Sequence, residues 1–175
     1  MSIYRPTVAS VVYKRTGSER FYAMVQKPNW DAHEWGIIQG AFEVDSDRNH
    51  KDTARREPRE ELGTLLFGQC INTRISVQRP FQQKTRERYP DQGYAGKEVH
   101  YFGLEFIGEE SDIRLSDELS AVCFVTQEEL LARIKYADEL PPVLTRIEEE
   151  RAGERCGSIY IPGFNLTRAQ PALGR

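Results

Sequence analysis

Cysteine is scarce in this chain: Cys70, Cys123 and Cys156 are the only three in 175 residues. An odd, widely spaced set argues for free thiols in a reducing compartment and against a disulfide framework. Histidine is equally rare. His33, His50 and His100 stand far apart and beside no cysteine, so no zinc-ligand spacing exists. No apolar run approaches the roughly 18 residues that cross a bilayer. The first six residues lack the basic-then-apolar layout of a secretory leader, so a cytoplasmic location and no membrane partner are expected. Positive charge is not in excess either. A net charge of −3 excludes a global basic field for nucleic acid, although Lys84, Arg86 and Arg88 cluster in one stretch.

With 39% hydrophobic and 29% charged residues, the chain has the make-up of one ordinary globular domain with a sizeable core. Residues 7–13 (TVASVVY) are β-branched and mostly apolar and read as a buried strand. Gly17-Ser18 marks a turn, and residues 20–27 (RFYAMVQK) read as the second strand of a hairpin. Residues 29–47 show no clear period and read as loop, with a short strand near 35–38. Residues 52–62 (DTARREPREEL) are rich in helix formers, with Asp52 as the expected N-cap. Residues 71–79 alternate like a half-buried strand, and residues 82–97 read as a long exposed loop. Strands follow over 99–107 (VHYFGLEFI) and 121–125 (AVCFV). Thr126-Gln127-Glu128-Glu129 fits a capping box that starts a helix over 127–136. Pro141-Pro142 breaks it, and residues 143–151 are helical again. Strands interleaved with two or three helices predict an α+β domain over residues 1–150. Residues 151–175 are a C-terminal extension, with 158–164 expected as a further strand and the last ten as mobile.

The informative stretch is residues 56–63 (REPREELG). On a helix, Glu57, Glu60 and Glu61 fall at i, i+3 and i+4, which sets three carboxylates on one face. Like charges at that spacing repel by a few tenths of a kcal/mol per pair, on the order of 0.2–0.5. A divalent cation converts the repulsion into binding, and clustered oxygen ligands suit magnesium or manganese. Arg56, four residues before Glu60, can hold a carboxylate in its ligating rotamer, and Gly63 is a natural helix stop. Pro58 is the odd residue. Inside a helix it costs about 3 kcal/mol, so a late start or a kink around residues 55–58 is expected. Either would move Glu57 relative to Glu60 and Glu61.

This stretch resembles the box of the Nudix family: G, five residues, E, seven residues, then R-E-U-x-E-E-x-G-U, with U bulky and apolar. Gly40 is similar to the leading glycine, and Trp35-Gly36-Ile37-Ile38-Gln39-Gly40 to the approach before it. Arg56, Glu57, Glu60, Glu61 and Gly63 complete six of the nine defining positions. The departures are specific. The interval from Gly40 to Arg56 is two residues longer than the pattern. Arg48 replaces the glutamate expected before Arg56, with Asp45 and Asp47 close by. Pro58 and Thr64 stand at apolar positions. Glu118, before the strand at 121–125, looks like the loop glutamate that completes the metal site or acts as base in several members.

The resemblance covers residues 4–140 and implies an α/β/α sandwich with a mixed sheet. It also implies magnesium- or manganese-dependent hydrolysis of a phosphoanhydride bond in a nucleotide derivative. Glu57, Glu60, Glu61, Glu118 and Gln39 are the implied metal residues. Glu57, Glu60, Glu118 and Arg56 are the implied catalytic set, and Lys27, Trp35 and Tyr101 face substrate. Residues 112–118 look like the dinucleoside polyphosphate hydrolases, and Tyr4-Arg5-Pro6 with the hairpin looks like a dNTP pyrophosphohydrolase. Pro80, sixteen residues past Thr64, is similar to the ADP-ribose hydrolases. A dinucleoside polyphosphate or (d)NTP therefore ranks first, and ADP-ribose or a nucleotide sugar second. An RNA 5′ end gripped by residues 79–88, a non-catalytic nucleotide-binding role and a homodimer stay open. Isomerisation of an isopentenyl-type diphosphate has little support from Cys70 or Cys123.

Overall fold

Alternation in the opening segment sorts side chains onto two faces. Strand β1 (Tyr4–Thr16) sends Val8 and Val12 into one apolar cluster and Ala9, Val11 and Tyr13 into another, all buried. A strand buried on both sides belongs inside a sheet. The computed structural model, which describes residues 3–82 and 93–156 (the last six by backbone alone), places it there. The other strands are β2 (Glu19–Gln26), β3 (Ile38–Ala41), β4 (Phe67–Pro80), β5 (Gly96–Phe106) and β6 (Ala121–Val125). The sheet order is β4-β5-β1-β2-β6, with β3 paired to the first half of β1. β1 and β5 run parallel and the other pairs antiparallel, so the sheet is mixed. Helix α1 (His50–Leu62) covers the face of Val8, Ile38 and Phe102. Helices α2 (Gln127–Arg133) and α3 (Leu140–Cys156) cover the face of Val11, Val99 and Tyr101, with Ile147 of α3 packed against it. The expected α+β sandwich is the observed one.

Several boundaries differ from expectation for physical reasons. The short strand expected at 35–38 lies at Ile38–Ala41, because β1 supplies its ladder; Trp35 and Gly36 make only isolated bridges. Pro141 and Pro142 do not break a helix. They occupy the first turn of α3, where a missing N–H costs nothing, and α3 runs through residue 150 to Cys156. Residues 83–92 of the expected loop, with Lys84, Arg86 and Arg88, and the strand expected at 158–164 lie outside the described residues.

Helix α1 starts earlier than expected and runs unbroken through Pro58. Asn49, not Asp52, is its N-cap, accepting from the backbone N–H of Lys51 and Asp52. Asp52 instead reaches back to the backbone N–H of Arg48. Proline at 58 cannot donate to the carbonyl of Ala54, four residues earlier. That carbonyl is not orphaned: the buried hydroxyl of Ser10, on β1, donates to it at 3.0 Å. Among the described residues no helix is long and apolar enough to cross a membrane. Cys70 and Cys123 are free thiols.

Candidate active site

One face of α1 meets β3 and the segment before β6. Glu57 lies against Gly40 so closely that a Cβ there would sit 1.8 Å from the Glu57 carboxyl carbon. Only glycine gives that carboxylate its place. Burial raises the Glu57 pKa, against the opposing charge of Arg56. Glu61, one turn on, is 3% exposed, and neither carboxylate oxygen has a hydrogen-bond partner. The nearest cation is Lys27 Nζ at 3.8 Å. Burial pushes Glu61 up to about 7, with Lys27 pulling the other way. Glu60 is 59% exposed and faces Arg56.

The chain after β5 returns to the C-terminal end of α1. Backbone N–H groups of Arg114 and Ser116 donate to the carbonyls of Leu62 (2.8 Å) and Glu61 (3.0 Å), two of the acceptors that a helix end leaves open. Gly63 ends the helix at φ 58°, and a Cβ on it would strike the Arg114 carbonyl at 2.1 Å. This docking sets Glu118 beside the acidic face, where its carboxylate lies 3.5 Å from Lys27 Nζ. Lys27 thus sits between Glu61 and Glu118.

Arg56 organises the other side. Its guanidinium donates to Asp47 through Nε (3.0 Å) and Nη2 (2.9 Å), and to the Ala41 carbonyl at 3.1 Å. Its Nη1 lies 2.7 Å from Glu57 and 3.1 Å from Glu60. Hydrogen bonds from Arg56 hold the buried Asp47 carboxyl at about 2, helped by the Glu43 backbone and Thr53. Asp47 escaped the sequence reading because the spacing is stretched: the acid that holds Arg56 stands nine residues before it. Two nearby acids, Asp45 and Asp47, were the only signal.

The remaining predicted residues divide. Gln39 precedes Gly40 on β3, so alternation turns its side chain away from the face that Glu57 approaches. Trp35 is half-buried against the core on the α2 side, with Arg133 stacked 5.2 Å from its ring. Tyr101 is 1% exposed, and Glu139 and Arg79 take its hydroxyl. A ring so enclosed cannot stack on a base, so the expectation that Tyr101 faces substrate does not match its position.

The donor chemistry fits a hard divalent cation: oxygen ligands cluster, and Glu61 is a buried carboxylate with no partner donor. Among the described residues no three such side chains are drawn together closely enough to hold an ion; Arg56 and Lys27 hold the carboxylates instead.

A mixed sheet lies between helices, with an acidic helix face closed by a glycine approach and an arginine clamp. The family model for the NUDIX domain matches residues 3–147, and the chain belongs to that family. Membership puts it among the pyrophosphohydrolases, enzymes that act on acid anhydrides of phosphorus. No curated protein matches it in sequence. Solved structures agree on the fold. The E. coli dihydroneopterin triphosphate pyrophosphohydrolase is 18% identical, with TM-score 0.65, over 85% of this chain and 99% of that one. A C. elegans Ap4A hydrolase complex is 18% identical, with TM-score 0.59, over 85% and 98%. The NUDIX domain of Shewanella oneidensis NrtR, complexed with ADP ribose, is 13% identical, with TM-score 0.61, over 86% and 90%.

Proposed function

We propose that this chain is a magnesium- or manganese-dependent hydrolase of a phosphoanhydride bond in a nucleoside diphosphate derivative, with a dinucleoside polyphosphate or (d)NTP as substrate. The observation that carries this reading is Glu61. A buried carboxylate with both oxygens unpartnered is costly unless a cation completes it. Glu57, Glu60 and Glu118 supply further oxygen ligands around it, and Gln39, next to Gly40 on β3, adds its backbone carbonyl rather than its side chain. A bound divalent ion neutralises charge on the phosphate oxygens and lowers the pKa of water.

The chain's own residues do the rest. Lys27, between Glu61 and Glu118, meets a phosphate oxygen. Glu118, the most exposed of the acids, accepts the proton of the attacking water, with Glu57 or Glu60 as the alternative base. An O–P bond forms, the bridging P–O bond breaks, and a nucleotide or phosphate leaves with the electron pair. Arg56 does not touch the reacting atoms in this scheme. It positions Glu57 and Glu60 while Asp47 anchors it. Positioning and electrostatics carry the catalysis, as in other phosphoryl transfers.

ADP-ribose or a nucleotide sugar is the second reading, favoured by the likeness in fold to a NUDIX domain complexed with ADP ribose. Incubation with magnesium and a panel of diadenosine polyphosphates, dNTPs, ADP-ribose and 5′-triphosphorylated RNA separates the readings by their products. Metal-independent binding without turnover of any of them would show a nucleotide-binding role instead.

A further inference from the structure

The sheet face opposite α1 carries a row of cations near its edge. Arg5 on β1 pairs in register with Lys97 on β5, and Lys97 pairs with Arg79 on β4. Registered partners share a face. Arg79 bonds the Tyr101 hydroxyl, which shows the face to be the one covered by α3. Three positive side chains in adjacent strands repel, as like charges set opposite each other do.

The row is only partly neutralised. Arg79 is paired with Glu139 at 2.7 Å and stacked 3.9 Å from the Tyr136 ring centre. Lys97 and Arg5 are half-buried and, among the described residues, have no acidic partner. Burial pushes Lys97 down, and the charges of Arg5, Arg79 and Lys27 push it further. Lys27 is therefore part of two fields. It lies between Glu61 and Glu118, and it adds to the positive potential at Lys97. Lys27 is the cation that the carboxylate site and the row have in common.

We propose that Lys97 and Arg5, walled by Arg79, form an anion subsite for a phosphate of the substrate beyond those at the acidic helix. The subsite selects chains of three or more phosphates over a nucleoside diphosphate linked to a sugar. It rests on the hydrolase reading for its occupant, but its existence can be tested without turnover.

Binding of inorganic tripolyphosphate is measured by calorimetry in EDTA, for wild type, Lys97→Gln, Arg5→Gln and Lys97→Arg. About tenfold weaker binding is expected for each glutamine variant, the loss of one charge-assisted hydrogen bond, with Lys97→Arg close to wild type. Thermal unfolding of Lys97→Gln is expected at the wild-type temperature or above it, because a repelled charge is removed; a lowered temperature would mark Lys97 as structural. Unchanged binding in both glutamine variants would overturn the subsite. Chain length then tests the occupant: Lys97→Gln should raise KM for triphosphate substrates and leave it unchanged for ADP-ribose. A KM unaffected at every chain length contradicts a substrate role. A protein that binds tripolyphosphate through Lys97 yet cleaves no nucleotide keeps the subsite and loses the hydrolase reading.

Discussion

Asp47 shows how one residue repairs a damaged pattern. It is buried, it takes two hydrogen bonds from Arg56, and its pKa is held at about 2, below the usual carboxylate value. A depressed folded pKa stabilises the protein above the unfolded value near 4, and the contribution is lost as pH falls through about 2. We expect Asp47→Asn to cost about 1–2 kcal/mol near neutral pH, with the gap to wild type closing between about pH 4 and 2. Urea unfolding at a series of pH values measures it. Gly40 tests positioning at the same scale. In Gly40→Ala the three atoms nearest the new methyl all belong to the flexible Glu57 side chain, so the fold should survive while Glu57 is displaced. A fall in turnover on the order of a hundredfold, with the melting temperature nearly unchanged, is the expected outcome.

At the scale of elements, the carboxylates were readable because helix spacing is local: i, i+3 and i+4 need no knowledge of the rest of the chain. What makes α1 tolerate Pro58 was not readable, because the compensating hydroxyl comes from Ser10, on a strand 44 residues from Ala54. Removing it should leave a buried carbonyl unpaired. Ser10→Ala is expected to cost about 1–3 kcal/mol. In a Pro58→Ala background the cost should shrink, since the restored N–H can take over the Ala54 carbonyl; denaturant unfolding of the four proteins completes the cycle. The N-cap was misread for a related reason. Asn49 and Asp52 are both capping residues three apart, and each makes a local bond at the helix start.

Across the whole molecule, the hairpin and the helices were legible from patterning, the mixed sheet came with the family resemblance, and the expected place of the site came from the motif. The cationic row was not, because it exists only once β1, β5 and β4 are in register. Tyr101 misled because alternation alone does not say that both faces are covered there. Long-range docking also ties Glu118 to α1, and Gly63 tests it. Gly63→Ala combines a left-handed backbone with a clash against the Arg114 carbonyl, whereas Gly17→Ala has a similar φ and nothing within 4 Å. Gly63→Ala should lose about 1–3 kcal/mol and much of its activity. Gly17→Ala should lose less stability and no activity, as unfolding curves and initial rates would show.

Glu61 is where fold, burial and chemistry meet, and glutamine preserves its shape while removing its charge. The most direct measurement is the rate of nucleotide hydrolysis with magnesium by wild type and Glu61→Gln, with thermal unfolding recorded beside it. Turnover by wild type, lowered at least about tenfold in a Glu61→Gln protein that melts no lower, is the expected result. Equal turnover in both proteins, or none in wild type with magnesium or manganese, would contradict a metal-dependent hydrolase built on that carboxylate.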